Sequence, residues 1–450
     1  MDAAAFDQVA ETFALFHARF APLFGRREAQ QRSDQYLRGL LVQQTDRRNA
    51  ENLADVIPGA TPRSLQRFLT AAPWDAAAVI DRLQEVVAPL LAAPEAVFVL
   101  DDTGFPKQGT HSVGVARQYS GTLGKVGNCQ VGVFLAYASS RGSALVDRSL
   151  FLTERWCDDR ERCRAAGVPD DVTHATKPAL GLALLQAARR RGALQSAWVT
   201  GDAGYGEIPT FRAALAADGW LFVLEVPSTT RVFAQPARAA VPVWSGRGRR
   251  PTRPRLVPGE PSALTVAAVA ATAREWETLT VAEGAQGPRR YQFWRQRVWE
   301  CADGVPGVER WLLLRRNLEE SELKYALSNA PVETPLQTLA QVQAFRWPVE
   351  TGFQQYKGET GLDEYEVRSW SGWHHHTALA LVAGAFLLQV QQEWGGKGGR
   401  PHNPAGQPRL AGAAAAAGVD ARRVAGLAHG DAARQRAGAP GARPPMRTAA

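Results

Sequence analysis

The chain has 450 residues, of which 45% are hydrophobic and 21% are charged. This length and composition exclude a disordered chain and predict a globular protein of two or three domains. The net charge of +8 is concentrated after Trp394, where nine Lys or Arg accompany only two Asp or Glu. Because the other residues are together almost neutral, the overall charge is weak evidence for DNA binding, and local basic clusters have to support that prediction.

The sequence shows no targeting or membrane segment. Met1 leads into an acidic, amphipathic stretch without the basic n-region of a signal peptide. The longest apolar run, residues 377–390, is shorter than the roughly 20 residues that cross a bilayer, and it predicts a buried helix. The four cysteines form no CxxC pair and predict reduced thiols. We therefore expect a cytoplasmic protein with no membrane partner.

Residues 1–95 predict a helical N-terminal domain. A helix over 49–56, a Pro-Gly turn and a second helix form a helix-turn-helix pattern. Thr61 is a good N-cap for the second helix, and Pro62 suits its first position. The pattern has two equally weighted interpretations: a helix that recognises DNA ends, or an ordinary helical hairpin.

Residues 96–227 change to strands and helices. Three antiparallel strands come first, and helices then alternate with strands, which is the order of an RNase H-like fold. The predicted strands cover 96–100, 130–139, 143–152, 196–200 and 220–226, and the predicted helices cover 178–190 and 208–218. We expect the first part of an α/β catalytic core here.

Residues 228–322 interrupt this pattern. They contain fifteen Arg, no Lys and ten Asp or Glu, with a basic loop at 247–255 and a strand over 289–300 in which aromatic residues and arginines alternate. We interpret them as a β-rich, arginine-rich insertion. The core resumes at 323–394 with a strand and helices. The Gly-, Ala- and Pro-rich residues 395–450 predict a disordered basic tail.

Three carboxylates are candidates for catalysis. Asp102 and Asp202 each follow a predicted strand, and the strand ends of an α/β sheet are where catalytic groups collect. Glu350 lies in a predicted helix. An Asp, Asp, Glu set supplies hard oxygen ligands for two Mg²⁺ or Mn²⁺ ions, about 3.5–4 Å apart, that cleave phosphodiesters. The alternative for each aspartate is a structural capping or turn residue.

The surroundings of Glu350 strengthen this prediction. Arg346, Glu350 and Lys357 stand at i, i+4 and i+11, which places them on one face of a helix. Two cations beside a metal-binding carboxylate can hold the phosphates of a DNA end. Ion pairs along the helix surface are the less economical alternative.

Several joined motifs resemble the bacterial insertion-sequence transposases of the DDE superfamily, in the branch with a tyrosine, arginine, glutamate, lysine signature. The motifs are DDTGFPKQG at 101–109, HSVGVARQYSGTLGKVGNCQVGVFL at 111–135, VTGDAGYG at 199–206, LKYALSNAP at 323–331 and RWPVE with a following lysine at 346–357. The resemblance covers roughly residues 30–392. It implies an RNase H-like core with a β insertion before the glutamate, and the excision and integration of a mobile element.

Two positions bear on this resemblance. The signature tyrosine is expected three residues before Arg346, where this chain has Gln343. The family pattern has Ser or Thr directly after the first catalytic aspartate, which favours Asp102 because Thr103 follows it. Asp101 is the alternative, since adjacent strand residues face opposite ways.

Further residues are candidate DNA contacts. Cations suit phosphates, and tryptophans suit stacking on bases. The candidates are Arg346, Lys357, Trp347, Lys107, Arg117, Lys125, Trp294, Arg295, Arg297, Arg249 and Arg250. For Lys107, Arg117 and Lys125, a merely solvated position is the alternative. Trp294 and Trp299 point to opposite faces of one strand, so we expect one of them to pack against the core.

Two other motifs have the residue types of ligand sites. The tract His374-His375-His376 begins an apolar helix, which favours a structural or DNA-facing role over a metal site. The glycines between 104 and 124 lack the spacing of a phosphate-binding loop, so no nucleotide cofactor is expected.

The leading hypothesis is a cut-and-paste DNA transposase. It would act as a homodimer on paired DNA ends, and it would bind terminal inverted repeats and target DNA. It would be bacterial and cytoplasmic, and nucleoid-associated when bound to DNA. The alternatives are a catalytically silent DNA-binding regulator derived from a transposase, and a structure-specific nuclease on the same fold.

Overall fold

A computed structural model describes residues 3–42, 47–284, 287–318 and 322–394. These residues form one large mixed sheet flanked by helices, which confirms the predicted α/β fold of RNase H-like type. The predicted tail, residues 395–450, lies outside the described residues. The domain boundaries given above stay predictions.

Helices precede the sheet. They are α1 (Ala3–Ala18), a 3₁₀ helix (Ala21–Phe24), α2 (Arg27–Leu41), α3 (Ala50–Val56), α4 (Pro62–Thr70) and α5 (Ala76–Leu91). Thr61 and Ser64 form a capping box at the start of α4, so the predicted N-cap is confirmed. Asn49 caps α3 in the same way by accepting the N–H of Asn52.

The first half of the sheet follows. Its strands are β1 (Val97–Pro106), β2 (Ala116–Ser120), β3 (Lys125–Ser139), β4 (Gly142–Phe151), β5 (Trp198–Gly201) and β6 (Leu221–Glu225). The helices between them are α6 (Glu154–Asp158), α7 (Arg160–Ala165), α8 (Lys177–Arg191), α9 (Ala203–Gly206) and α10 (Pro209–Ala217). β3 is antiparallel to β1 and β4, whereas β1, β5 and β6 are parallel neighbours. Those three parallel strands therefore end at the same edge.

Most strands of the insertion extend the same sheet, and two short ones, Ala239–Ala240 and Arg255–Leu256, pair in a separate two-stranded sheet. The elements of the insertion are β7 (Arg231–Phe233), β8 (Ala239–Ala240), β9 (Arg255–Leu256), β10 (Leu264–Thr265), α11 (Val266–Ala270), β11 (Glu277–Gly284), β12 (Gly287–Ala302) and β13 (Val305–Arg316). β13 pairs with β14 (Leu323–Ser328), and β14 pairs with β6. A second apolar core around Val298, Leu312 and Leu327 packs on one face of these strands.

The last helices close the fold over the sheet. They are α12 (Leu336–Ala344), α13 (Arg346–Thr360) and α14 (Trp370–Trp394). The histidine tract at the start of α14 ties it to the N-terminal helices, because His375 bonds the carbonyl oxygens of Leu69 and Trp74 and His376 bonds the Tyr36 hydroxyl. None of the helices in the described residues combines the length and the apolar character needed to cross a membrane.

Candidate active site at the carboxyl edge of the sheet

Three neighbouring parallel strands carry acidic residues at the same level of the sheet: Asp101 lies within β1, Asp202 directly follows β5, and Glu225 ends β6. The pairing of β1 with β5, and of β5 with β6, runs in continuous register as far as Gly201. One position further on, this register brings Asp101, Asp202 and Glu225 side by side. Register partners in parallel strands point to the same face, and neighbouring strands lie about 4.8 Å apart. These three residues are called the acid row below.

The turn after β5 fixes Asp202. Asp202 is the N-cap of α9, and its carboxylate accepts the N–H groups of Gly204 (3.0 Å) and Tyr205 (3.3 Å). Gly206 lies directly against the end of β6, where a Cβ would come within 1.8 Å of the carbonyl oxygen of Glu225. Because only glycine permits this approach, the turn holds Asp202 beside the end of β6.

The acid row concentrates negative charge. Burial, and then the charge of Asp202, raises the pKa of Asp101 to about 7, against an opposing effect of Arg346. Burial also raises the pKa of Asp202, with Arg346 opposing the rise and Asp102 adding to it. Raised carboxyl pKa values mean that the protein itself does not fully compensate the negative charge at this edge.

Asp102 points to the other face of the sheet. It forms an ion pair with Lys177 Nζ (2.9 Å) at the start of α8, beside a cavity of about 320 Å³. Leu100, two residues earlier on the same face, packs against α8, whereas Phe105 shares the face of Asp101 and lies below Lys357 of α13. The two alternatives that the sequence left open thus face opposite sides of β1: Asp101 lies in the acid row, and Asp102 is paired with Lys177.

Arg346 links the acid row to the helix of Glu350. Its Nη1 lies 2.6 Å from Glu225 Oε2, and its Nη2 contacts Glu350, one turn further along α13. Burial lowers the pKa of Arg346, but the charges of Glu225, Asp101 and Asp202 outweigh that effect and raise it. The Glu350 side chain is 44% exposed. Glu350 is therefore close to the row, but in this conformation it is paired with Arg346.

The acid row has donors that suit a divalent metal. Within the described residues, no three His, Cys, Asp or Glu side chains lie close enough together to hold an ion. Asp101 and Asp202 nevertheless offer hard carboxylate oxygens whose mutual repulsion a cation would relieve. The two aspartates therefore fit Mg²⁺ or Mn²⁺, and Glu350 is the nearby carboxylate that could complete the set.

The predicted lysine contacts near the row bond to the protein itself. Lys357 Nζ donates to the carbonyl oxygen of Gly104 (3.2 Å) and to the hydroxyl of Thr122 (3.0 Å). Lys107 Nζ donates to the carbonyl oxygen of Tyr365 (3.0 Å) and lies 3.5 Å from the centre of its ring. Burial lowers the pKa of Lys107 to about 8. Both ammonium groups are thus held beside β1.

The predicted contacts on β12 lie against other parts of the protein. The guanidinium groups of Arg295 and Arg297 both lie over the ring of Trp311, at 4.2 and 4.9 Å from its centre. Trp294 points to the opposite face and packs against the second apolar core. We expected one of Trp294 and Trp299 to pack against the core, and Trp294 does so. A contact of Trp294 with DNA stays a prediction.

The remaining predicted contacts are more open. The exposed ones are Arg117 and Lys125 at the hairpin of β2 and β3, and Arg249 and Arg250 in the loop between β8 and β9. Trp347 is partly buried, with the guanidinium of Arg289 lying 3.5 Å from its ring centre. Of the predicted cations, Arg117, Lys125, Arg249 and Arg250 are therefore exposed enough to meet an external polyanion.

Glu225 was not predicted from the sequence. It ends β6 after the apolar residues 221–224, which is the same pattern of strand and terminal acid that drew attention to Asp202. Its second carboxylate oxygen lies 4.0 Å from Arg315 on β13. The strand-end pattern could have identified Glu225, but only the register of three strands shows that it belongs to the acid row.

Comparisons with known proteins agree with this geometry. The fold is of the RNase H-like type. The sequence profile of the family described as DDE superfamily endonuclease matches residues 19–288, more than half of the chain, and the chain belongs to this family. The match includes Asp101, Asp102 and Asp202 and ends before Glu350.

A curated relative gives a more specific likeness. The chain is 30% identical over 98 residues to the "Probable transposase for insertion sequence element IS701" of Microchaete diplosiphon. These residues are 22% of this chain and 26% of the relative, so the chain covers about a quarter of that protein's length.

Proposed function

We propose that this DDE endonuclease is a cut-and-paste transposase, which excises a DNA element and joins it to target DNA. The observation that carries the proposal is the position of Asp101 beside Asp202 at the carboxyl edge, where the pKa of both carboxyl groups is raised. The likeness to a probable insertion-sequence transposase supports the same reaction class. Excision and joining both consist of attack on a DNA phosphodiester, first by water and then by a 3′ hydroxyl.

Asp101, Asp202 and Glu350 are the proposed metal ligands. Asp101 takes the place of the predicted Asp102, because Asp102 faces α8 and is already compensated by Lys177. Glu350 would complete the set once its contact with Arg346 opens. Two Mg²⁺ or Mn²⁺ ions bound by these carboxylates would activate the attacking oxygen and stabilise the leaving 3′ oxygen.

Exposed cations of this chain are proposed to hold the DNA. Arg249 and Arg250 are exposed in a loop whose neighbouring residues include further arginines, so they suit phosphates of either element ends or target. Arg117 and Lys125 are exposed on the β2–β3 hairpin, whose tip also meets Lys357 through Thr122. Because excision requires two element ends, a homodimer on paired terminal repeats is the proposed active form.

A cleavage and joining assay tests the proposal. The full chain is incubated with Mg²⁺ and with DNA that carries the ends of the flanking element, and both excised and joined products are measured. Glu350→Gln keeps the size of the side chain but removes its charge, so we expect cleavage to fall about a thousandfold with end binding retained. The exposed Glu333→Gln is the matched control, and it should cleave normally.

Three results would contradict the proposal in different ways. Cleavage without joining would indicate a nuclease. End binding without cleavage by the unmodified chain would indicate a silent regulator. Equal cleavage by Glu350→Gln and by the control would remove Glu350 from the metal site.

A further inference from the structure

Glu225 is the member of the acid row that the proposed chemistry does not use. Its Oε2 lies 2.6 Å from Arg346 Nη1, and its Oε1 lies 4.0 Å from Arg315 Nη2. The side chain is only 12% exposed. Both carboxylate oxygens are thus directed at arginines, which makes Glu225 a compensated carboxylate and a poor candidate for a further metal ligand.

Arg346 is surrounded by carboxylates. It contacts Glu225 and Glu350 directly, and it lies within electrostatic reach of Asp101 and Asp202. Its Nε is buried and has no hydrogen-bond partner, so its contacts with Glu225 and Glu350 are made by its terminal nitrogens. A guanidinium that moved onto the two aspartates would supply the positive charge that a metal ion otherwise provides, and would compete with that ion.

Backbone contacts at the end of β6 position Glu225, which pairs with Arg346. Gly206 brings the turn after Asp202 into contact with the carbonyl oxygen of Glu225, so this turn packs backbone to backbone on the end of β6. Arg315, on β13 beyond β14, approaches Glu225 from the side of the insertion. Arg346 is therefore attached at the β6 end of the row, next to the aspartates rather than between them.

We propose that Glu225 is a positioning residue that holds Arg346 at the β6 end of the acid row and so leaves Asp101 and Asp202 free to bind metal. This inference rests on the proposed function, because it concerns the proposed metal carboxylates. It assigns Glu225 a role in metal affinity without making it a ligand. It also means that Arg346 is paired with Glu225 when no DNA is bound.

Metal binding to the metal-free full chain tests the role of Glu225 without an activity assay. Mn²⁺ affinity is measured by calorimetry for the unmodified chain, Glu225→Gln, Arg346→Gln and the double variant. Once Glu225 is neutral, Arg346 should turn towards the aspartates, and Mn²⁺ affinity should fall about tenfold or more. Removing Arg346 as well should remove the competitor, so the double variant should bind Mn²⁺ within about threefold of Arg346→Gln alone.

Two further variants serve as controls. Glu322→Gln removes an exposed carboxylate paired with Lys324 on the neighbouring strand β14, and it should leave Mn²⁺ affinity unchanged. Glu225→Asp keeps the charge but shortens the side chain, so its affinity should lie between those of the unmodified chain and Glu225→Gln. It also provides a readout if Glu225→Gln does not fold.

The possible failures are distinct. Equal weakening in Glu225→Gln and in the double variant would show that Glu225 acts as a ligand or through its charge alone, and would overturn the inference. A lower melting temperature with unchanged Mn²⁺ affinity would assign Glu225 a purely structural role. Unchanged affinity in Asp101→Asn would instead show that the acid row is not the metal site, which overturns the proposed function itself.

Discussion

Two buried groups of charged side chains in this molecule differ in their balance of positive and negative charge: one has more cations than carboxylates, and the other has more carboxylates than cations. Glu300 on β12 lies between Arg212 and Arg310, whose Nε is 2.7 Å from Glu300 Oε1, and none of the three side chains is more than 13% exposed. Burial alone would raise the pKa of Glu300, but hydrogen bonds and charges from the two arginines lower it. In the acid row, burial and a neighbouring carboxylate raise the pKa of Asp101 to about 7.

The difference lies in the partners and not in the burial. One carboxylate with two cations is stabilised in its charged form, and removing it would leave two buried guanidinium groups without an anion. Asp101 and Asp202 have raised pKa values despite the charge of Arg346, so the folded protein carries an electrostatic cost that a bound metal would reduce. Charge balance therefore distinguishes an acid that supports the fold from acids that are available for a ligand.

The largest expected effect distinguishes Asp101 from Asp102. Asp101→Asn should lower Mg²⁺-dependent cleavage about a thousandfold, because several kcal/mol of transition-state stabilisation depend on the metal. It should also raise the melting temperature of the metal-free protein at pH 8, since it removes a poorly compensated charge. Asp102→Asn should keep cleavage within about tenfold, as it only breaks the pair with Lys177. The reverse order of these two variants in the cleavage assay would restore Asp102 as the first ligand.

The next effect concerns the balanced cluster. Glu300→Gln should destabilise the fold by about 3–5 kcal/mol at pH 7, because Arg212 and Arg310 lose their shared anion. Glu300 has a lowered pKa in the folded protein, so its contribution is present above its ordinary value of 4.5 and is lost as the pH falls through the folded value. Urea unfolding of both proteins from pH 7 to pH 3 measures this difference. A gap that does not narrow below about pH 4.5 would mean that the charge of Glu300 is not the cause.

The smallest effect extends the comparison to cations. Arg249 and Arg250 are exposed, whereas Arg297 is paired with Glu309 (3.0 Å) and lies over Trp311. Changing Arg249 and Arg250 together to Ala should reduce the salt dependence of DNA binding by a slope of about two, or about one per lost phosphate contact. Arg297→Ala should leave the slope unchanged and lower the melting temperature. An equal loss of slope in both proteins would show that Arg297 leaves its internal partners to bind DNA.

Local sequence patterns predicted much of this molecule. Apolar runs that end in an acid located β1 and β5, and the capping residue Thr61 located the start of α4. Alternation along β12 predicted that one of Trp294 and Trp299 packs against the core, and Trp294 does so. These features depend on residues that are close in sequence, so one stretch of chain contains the whole signal.

The rest depended on distant parts of the chain. The choice between Asp101 and Asp102 depends on which face of β1 is covered by α13, about 250 residues later. Arg295 lies against the protein and not towards solvent because its guanidinium packs over the ring of Trp311 in the next strand. Glu225 had the same local pattern as Asp202, but its membership of the acid row follows only from the pairing of β5 with β6.

Because Gly206 has no side chain, the turn after Asp202 can lie directly against the end of β6. At position 206, any methyl group would meet the carbonyl of Glu225 at 1.8 Å, so the turn and the strand touch through backbone alone. The spacing of Asp202 and Glu225 is thus set by contact between main-chain atoms, and a change of side-chain rotamer cannot adjust it. A displacement on the order of 1 Å at a reacting centre costs roughly a hundredfold in rate. Gly206 therefore determines how accurately the carboxylates of Asp202 and Glu225 are spaced.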